Sequence, residues 1–207
     1  MATRTRKPAG ARRDEIVEKA IEAFAAVGFQ EASFQRIADA LGVSQSAVLH
    51  HFRSKEALLE EALKRIVAHN HELVQQTLKP KDDALTILRK HFAANLEWAV
   101  DFRPEAQIIL MLYAMAGHSP ALGAFYQLVV GRGRERVVGL VAAAVRERTF
   151  RADTPVDEIG VALHDMLVGA IIAVICLPQN AAEFRRTRKR WEGAFAVWLR
   201  TKTSPAR

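Results

Sequence analysis

Residues 33–52 read SFQRIADALGVSQSAVLHHF and predict two short helices joined by a tight turn. The first helix has its apolar residues at i, i+3, i+4 and i+7, namely Phe34, Ile37, Ala38 and Leu41. Ser33 can cap its start, and Gly42 can adopt the positive φ that a tight helix end requires. Ser44 can cap the second helix, which is expected to end near His51.

The second helix of this pair is predicted to have one buried face and one exposed face. Val48 and Phe52 lie four residues apart and point inward in a helical register. The outward positions carry small or polar side chains: Gln45, Ser46, Ala47 and His50. A short polar front suits the major groove, because bulky apolar groups would keep the helix away from base edges. A helix–glycine–helix corner used only for packing is the alternative.

The segment from about Arg13 to Ile66 resembles the DNA-binding domain of the tetracycline-repressor (TetR) family of transcriptional regulators. The matching positions are Ile16, Ala20, Phe24, Gly28, Ser33, Ile37, Ala38, Gly42, Val43, Ser44, Phe52, Ser54, Lys55, Glu56 and Leu58. Their spacings match the family pattern without gaps. The resemblance covers roughly the first third of the chain and implies binding to a double-stranded DNA operator.

The resemblance also implies roles for individual residues. The helix Ser44–His51 would be the recognition helix. The side chains that would face base edges are Gln45, Ser46 and Ala47, and those that would hold phosphates are Ser33, Ser44 and Lys55. Gln35 is a further candidate for a base or a phosphate, and Arg36 beside it belongs to the same DNA-contacting surface. Phosphate contacts fix the register on DNA, whereas base contacts read its sequence.

Leu49 departs from the family pattern, in which many members have a tyrosine that contacts the DNA backbone. A leucine side chain cannot donate a hydrogen bond, so His50 or His51 is expected to supply this contact. Adjacent residues on a helix point about 100° apart. The paired histidines are therefore not expected to form a metal site.

The chain is basic, which suits a polyanionic partner such as DNA. It has 30 Lys and Arg against 23 Asp and Glu, and a formal net charge of +7. Three cations near the N-terminus are candidates for a DNA-binding arm, namely Arg4, Arg6 and Lys7. A disordered basic tail is the alternative. We divide the chain into an arm at 1–12, a helix-turn-helix domain at 13–66 and a helical domain at 67–207.

The apolar spacing is helical along the whole chain, and prolines separate the segments, which predicts an all-α fold of about nine helices. The resemblance implies that residues 67–207 bind a ligand and form a homodimer through the last two helices, about Pro155–Leu177 and Asn180–Thr201. The first of these helices is apolar on more than one side, which independently favours burial against a partner. Burial within one subunit is the alternative.

Aromatic and methionine side chains in the middle of this domain predict an effector pocket. The candidates are Trp98, Phe102, Met111, Met115 and Tyr126. Such a lining suits a small apolar or aromatic effector, whereas ordinary core packing is the alternative. An effector that changes the spacing of the two recognition helices would weaken operator binding, with the helix from Lys55 to about Leu78 as the lever.

Other classes of protein fit the sequence poorly. It has no Gly-rich phosphate loop, nucleophile elbow or cluster of metal ligands, so we predict no enzyme activity, no cofactor and no metal site. The apolar run Met166–Leu177 is shorter than the roughly 20 residues of a membrane helix, so a cytoplasmic chain without membrane contact is expected. We therefore predict a sequence-specific transcriptional regulator, a repressor by resemblance. Control by a protein partner or by abundance, with no effector, is the alternative.

Overall fold

The computed structural model of this chain describes residues 9–176 and 181–198. These residues form nine α-helices and no strand, which confirms the predicted all-α fold. The helices are α1 (Ala9–Glu31), α2 (Phe34–Leu41), α3 (Gln45–His51), α4 (Lys55–Gln76), α5 (Ala84–Asp101), α6 (Arg103–Met115), α7 (Pro120–Arg146), α8 (Val156–Cys176) and α9 (Ala181–Trp198).

The first helix begins earlier than the sequence indicates. Helix α1 starts at Ala9 rather than near Arg13, so the end of the segment assigned to the arm is helical. Nη1 of Arg12 donates to the Glu15 carboxylate at 3.0 Å, an i, i+3 ion pair that supports this added turn. The arm residues Arg4, Arg6 and Lys7 lie outside the described residues, so the arm stays a prediction.

The turn between α2 and α3 has the geometry that the sequence indicates. The hydroxyls of Ser33 and Ser44 each accept the backbone N–H three residues ahead, at 3.2 and 3.3 Å, and so cap α2 and α3. Gly42 has a φ of 63°, in the left-handed region that favours glycine. Val48 and Phe52 are buried, so one face of α3 is anchored in the core and the opposite face is open to a partner.

One apolar core connects the helix-turn-helix region with the helices that follow. Its fully buried members in the first four helices include Phe24, Ile37 and Leu63. The same cluster continues through Trp98 on α5 and Leu112 on α6, and α1 lies directly against α6. Helix α4 contacts α1 as well as α5 and α6. It therefore joins the two sides of the domain boundary that we predict near residue 66.

A second apolar core lies between α5, α7 and α8. Its buried members include Leu88, Phe92, Val137, Val141, Leu163 and Leu167. Helices α7 and α8 come closest at Gly160, where an added Cβ would lie 2.6 Å from the Cα of Val138. Because this neighbour is backbone, only glycine fits at that crossing.

The apolar segment near the C-terminus is longer than its sequence suggests. Helix α8 has 21 residues and is, by length and composition, the one described helix that could cross a membrane, a property shared by core helices of soluble proteins. Only 39% of its most apolar stretch is buried within one copy of the chain. The run Met166–Leu177 understates the length of this helix, because the helix continues through smaller and less apolar residues back to Val156. Several apolar residues of α8 are therefore only partly buried within one copy of the chain.

Candidate nucleic-acid interface

Helix α3 presents a short polar face to solvent. Gln45 and Ser46 are exposed, and Ala47 is half-buried. The hydroxyls of Ser44 and Ser46 are hydrogen-bonded at 2.9 Å, which holds Ser46 beside the start of the helix. Within the described ranges no group hydrogen-bonds the side-chain amide of Gln45. Its donor and its acceptor are both available, as bidentate contact with an adenine requires.

Helix α2 adds further exposed polar groups next to α3. Ser33, Gln35 and Arg36 are all exposed. Nε2 of Gln35 donates to Oδ1 of Asp39 at 2.6 Å, so this amide already has a partner in the free protein. A base contact by Gln35 would have to compete with that hydrogen bond.

The end of α3 contains Leu49, at the position where many family members have a tyrosine, and the two histidines that follow it. Leu49 is 42% exposed and His50 is exposed, whereas His51 is half-buried. Burial lowers the pKa of His51, and the nearby charges of His50 and Arg13 lower it further. His51 is therefore a neutral hydrogen-bonding group near neutral pH, and His50 is the more accessible of the two.

Lys55 is tied to the end of α1. Its Nζ donates to the backbone oxygens of Phe29 at 2.9 Å and of Gln30 at 3.0 Å, and it lies 4.8 Å from the centroid of the Phe29 ring. Gly28, with a φ of 78°, interrupts the regular helix just before these two residues, so their carbonyl groups lie beyond the regular part of α1 and accept this charged donor. Two of the three N–H groups of Lys55 are thus used within the protein, which leaves one for a phosphate.

We expect Lys55→Ala to lower the free energy of unfolding by about 1–2 kcal/mol, because the carbonyls of Phe29 and Gln30 lose a charged donor. Urea unfolding of the full chain measures this change. The matched control is Lys64→Ala on the same helix, where the lysine only pairs with exposed Glu60 and should cost less than about 0.5 kcal/mol. Equal losses for the two variants would contradict a structural role for Lys55.

The predicted effector residues lie on α5, α6 and α7 and pack against the continuous core. Trp98 is buried in this core, and Phe102, Met111, Met115 and Tyr126 are partly buried and pack against the same core. The rings of Tyr126 and Tyr113 meet edge to face at 5.2 Å, and burial raises the pKa of Tyr113 to about 12. The side chains are thus brought onto one apolar cluster, while their role in ligand binding stays a prediction.

Two residues that sequence reasoning missed connect this cluster to α4. Nε1 of Trp98 donates to Oε2 of Glu105 at 2.8 Å, and Nδ1 of His69 lies 2.9 Å from Oε1 of the same carboxylate. The His69 ring also meets the Phe102 ring edge to face at 4.6 Å. The available sequence signal was a single carboxylate, Glu105, at the start of the apolar helix α6.

A second group of residues, which the sequence does not identify as a cluster, is buried between α5 and α8. We call His91, Asn95 and His164 the polar cluster; each is only 7% exposed. Nδ2 of Asn95 donates to the backbone oxygen of His91 at 2.7 Å, and its Oδ1 accepts from Nδ2 of Asn70 on α4 at 3.2 Å. The ring of His164 lies against Gly133 on α7, where a Cβ would collide with Nε2.

Burial keeps both histidines of the polar cluster neutral. It lowers the pKa of His91 to about 4, and electrostatic interactions with Arg136, His164 and His71 contribute in the same direction. Burial also lowers the pKa of His164, although its hydrogen bond with Asp165 opposes this shift. Two uncharged imidazoles in an apolar core are costly unless their nitrogen atoms have partners.

We expect the free energy of unfolding to be about 2–3 kcal/mol lower at pH 4 than at pH 6.5 because of His91 alone. Below its ordinary pKa of 6.5 the unfolded chain takes up a proton at this imidazole, whereas the folded chain does so only near pH 4. The stability associated with the neutral His91 is therefore fully present above pH 6.5 and is lost as the pH falls from 6.5 to about 4. Urea unfolding at both pH values should give a smaller loss for His91→Leu than for the exposed control His118→Leu. Equal losses would contradict the assignment.

Sequence comparisons relate the chain to bacterial regulators. Residues 16–62 match the profile of a family described as bacterial regulatory proteins, tetR family. The chain is similar to the transcriptional repressor KstR2 of Mycolicibacterium smegmatis, with 29% identity over 157 residues and 76% of each chain covered. It is also similar to the transcriptional regulator BetI of Yersinia pestis, with 32% identity over 113 residues. That second match spans 54% of this chain and only 57% of the relative.

Solved structures share the arrangement of helices. A transcriptional regulator from Saccharomonospora viridis, solved in complex with choline, has a TM-score of 0.82 and 22% identity, over 90% of this chain and 96% of its own. The ketosteroid transcriptional regulator KstR2 of Mycobacterium tuberculosis has a TM-score of 0.66 and 20% identity, over 91% and 93%. At such identities the likeness establishes the fold.

Proposed function

We propose, since this chain belongs to the TetR family of bacterial transcriptional regulators, that it is a homodimeric repressor released from a palindromic operator by a small effector. Family membership makes the chain a DNA-binding regulator and not an enzyme. The observation that best supports operator reading is the exposed polar face of α3, fixed in place by the buried Val48 on its opposite side. We place the protein in the cytoplasm with its DNA, as is general for such regulators.

The surface formed by α2 and α3 divides into base-reading and phosphate-holding groups. We assign base reading to Gln45, whose free amide suits adenine, and to Ala47, whose methyl group suits thymine. The groups assigned to phosphates are Ser33, Arg36, Ser44, His50, His51 and Lys55. Ser46 is tied to Ser44 and lies between the two groups, and Gln35 is available only after leaving Asp39.

We expect Gln45→Ala to weaken binding to the preferred operator by about 1–3 kcal/mol and to relax base preference at one position in each half-site. The change should leave non-specific binding unaltered, because a neutral side chain releases no counterions from DNA. Fluorescence anisotropy with operator and scrambled duplexes measures both quantities. Gln75→Ala, at an exposed position on α4, is the control. If the Gln45 variant kept the same base preference, α3 would not be the helix that reads bases.

A partly buried apolar face of α8 supports a dimer. Val161, Val168 and Ile172 are only partly buried and belong to neither apolar core, and they follow one another at helical spacing. Exposed Gly169 lies beside them, where its small size allows another helix to approach closely. We propose that the same face of a second copy covers this stripe. A two-fold dimer then presents its two α3 helices to successive major grooves, about 34 Å apart.

Effector binding is proposed at the cluster around Trp98 and Phe102. One structural relative was solved in complex with choline, so this fold accommodates a small molecule in that protein. In this chain Glu105 connects Trp98 to His69 on α4, the helix that also contacts α1. A ligand that displaces Trp98 or Phe102 would therefore shift α4 and with it the spacing of the two α3 helices.

The experiment that tests this function is selection of bound sequences from a random DNA pool by the purified full chain at physiological salt. Recovery of a palindrome with half-sites about one helical turn apart supports a dimeric operator-binding protein. Recovery of no motif, together with binding that disappears as salt rises, would leave only non-specific charge attraction and overturn the proposal.

A further inference from the structure

One face of α5 extends from the polar cluster to Trp98, one of the predicted effector residues. His91, Asn95 and Trp98 follow one another at i, i+4 and i+7, which places them along a single helix face, and Phe102 is the residue at which the helix ends. With a rise of 1.5 Å per residue, the distance along the axis from His91 to Trp98 is about 10 Å. The face is thus polar at one end and apolar at the other, over the length of a small molecule.

The polar end contains hydrogen-bonding atoms without partners. Among the described residues no group hydrogen-bonds Nε2 of His91 or Nε2 of His164, although both rings are more than nine-tenths buried. Asn95, in contrast, is satisfied by Asn70 and by the backbone. A buried polar atom without a partner is costly, so a ligand that supplies one gains binding energy.

The charges around the polar cluster favour an anion. The groups on neighbouring helices whose charges act on the pKa of His91 are cationic or basic: His71 on α4, Arg136 on α7 and His164 on α8. The nearby carboxylate of Asp165 is already held by Arg134, at 3.0 Å from both of its oxygens, and by Nδ1 of His164 at 3.2 Å. On α6, the carboxylate of Glu105 is bound by Trp98 and His69.

We propose that the effector is a small organic acid whose carboxylate binds Nε2 of His91 and of His164, with its apolar body along α5 towards Trp98. This inference rests on the proposed function, in which a small molecule controls operator binding. The hydrogen bond from Nδ1 of His164 to Asp165 leaves Nε2 of the neutral ring as an acceptor. A carboxylate must therefore be accompanied by proton uptake at the imidazoles, which makes its binding tighter as the pH falls.

The test compares two ligands that differ only in the head group, octanoate and octan-1-ol, by calorimetry on the full chain. An extended chain of this size matches the span from His91 to Trp98. We expect octanoate to bind at least about tenfold more tightly than the alcohol at about pH 6, and the preference to shrink at about pH 8. Octanoate should take up protons on binding, measured as a dependence of the heat on the ionisation enthalpy of the buffer.

Variants assign the preference to the polar cluster. His91→Leu and His164→Leu should each lose the preference for octanoate and keep binding of octan-1-ol, whereas the exposed control His118→Leu should behave as the wild type. If a variant does not fold, an NMR titration of the imidazoles in the wild-type protein tests the same prediction. Excess acetate, which carries the head group alone, should raise the pKa of His91 and His164.

Failure of both acids to perturb either buried imidazole would overturn the proposal, as would equal binding of octanoate and octan-1-ol. The DNA selection separates this result from failure of the proposed function. A recovered palindrome with imidazoles that do not respond to acids rejects only the class of effector. Loss of the palindrome rejects the operator-binding function, whatever octanoate does.

Discussion

If the proposed dimer forms through α8, replacing Ile172 with glutamate is expected to give a monomer and to weaken operator binding by about 100- to 10,000-fold. Ile172 lies in the apolar stripe of α8 that belongs to neither core of the monomer. In a two-fold interface each substitution places two carboxylates in an apolar contact, where charges without partners are strongly destabilising. The DNA effect follows because two linked half-site contacts bind far more tightly than one.

Sedimentation and anisotropy measure the two parts of this prediction. Val100→Glu is the matched control, since Val100 is an exposed apolar residue on α5, away from the stripe, and its variant should remain dimeric and bind the operator normally. Circular dichroism should show an unchanged helix content for both variants. A dimeric Ile172→Glu protein would place the interface elsewhere on the molecule.

Replacing Gly160 with valine is expected to lower the free energy of unfolding by about 3 kcal/mol or more. The Cβ of any side chain at this position would lie 2.5–2.9 Å from atoms of Val138, including its backbone nitrogen and Cα. Backbone atoms cannot rotate away, so the whole of α7 must move from α8 and the second core must open. Urea unfolding at neutral pH measures the loss.

A glycine on α7 provides the contrasting case. Gly139 has open space around its Cα, so Gly139→Ala should stabilise the chain by about 0.5–1 kcal/mol through helix propensity alone. The expected difference between the two variants thus includes a change of sign. Similar losses at both positions would mean that the close crossing of α7 and α8 is not the cause.

The parts of the structure that the sequence predicts best are set by neighbours in the chain. The caps at Ser33 and Ser44, the positive φ of Gly42 and the buried Val48 all depend on residues within one helical turn, so short-range pattern reasoning identifies them. The start of α1 is less certain from sequence, because a single ion pair between Arg12 and Glu15 accompanies the extra turn. Helix boundaries depend on such small free energies.

The features that sequence reasoning missed depend on contacts between distant segments. Lys55 matches a family position for phosphate contact, but its actual partners are the backbone oxygens of Phe29 and Gln30. His91 and His164 are far apart in the chain, and only the packing of α5 against α8 makes them one cluster. Nothing in the local sequence of either histidine distinguishes a buried imidazole from an exposed one.

The continuous core between the first four helices and α6 limits how this molecule can move. We call α1, α2 and α3 the head. If a flexible linker alone joined the head to the other helices, the head would rotate about a hinge at little cost in free energy, and its orientation would not depend on the rest of the chain. Here α1 lies directly on α6, and the buried Phe24 and Leu112 belong to one cluster. Reorientation of the head therefore takes the form of shear, a small sliding of α1 over α6 between well-packed arrangements. The orientation of α1 relative to α6 is therefore expected to switch between discrete arrangements and not to vary continuously.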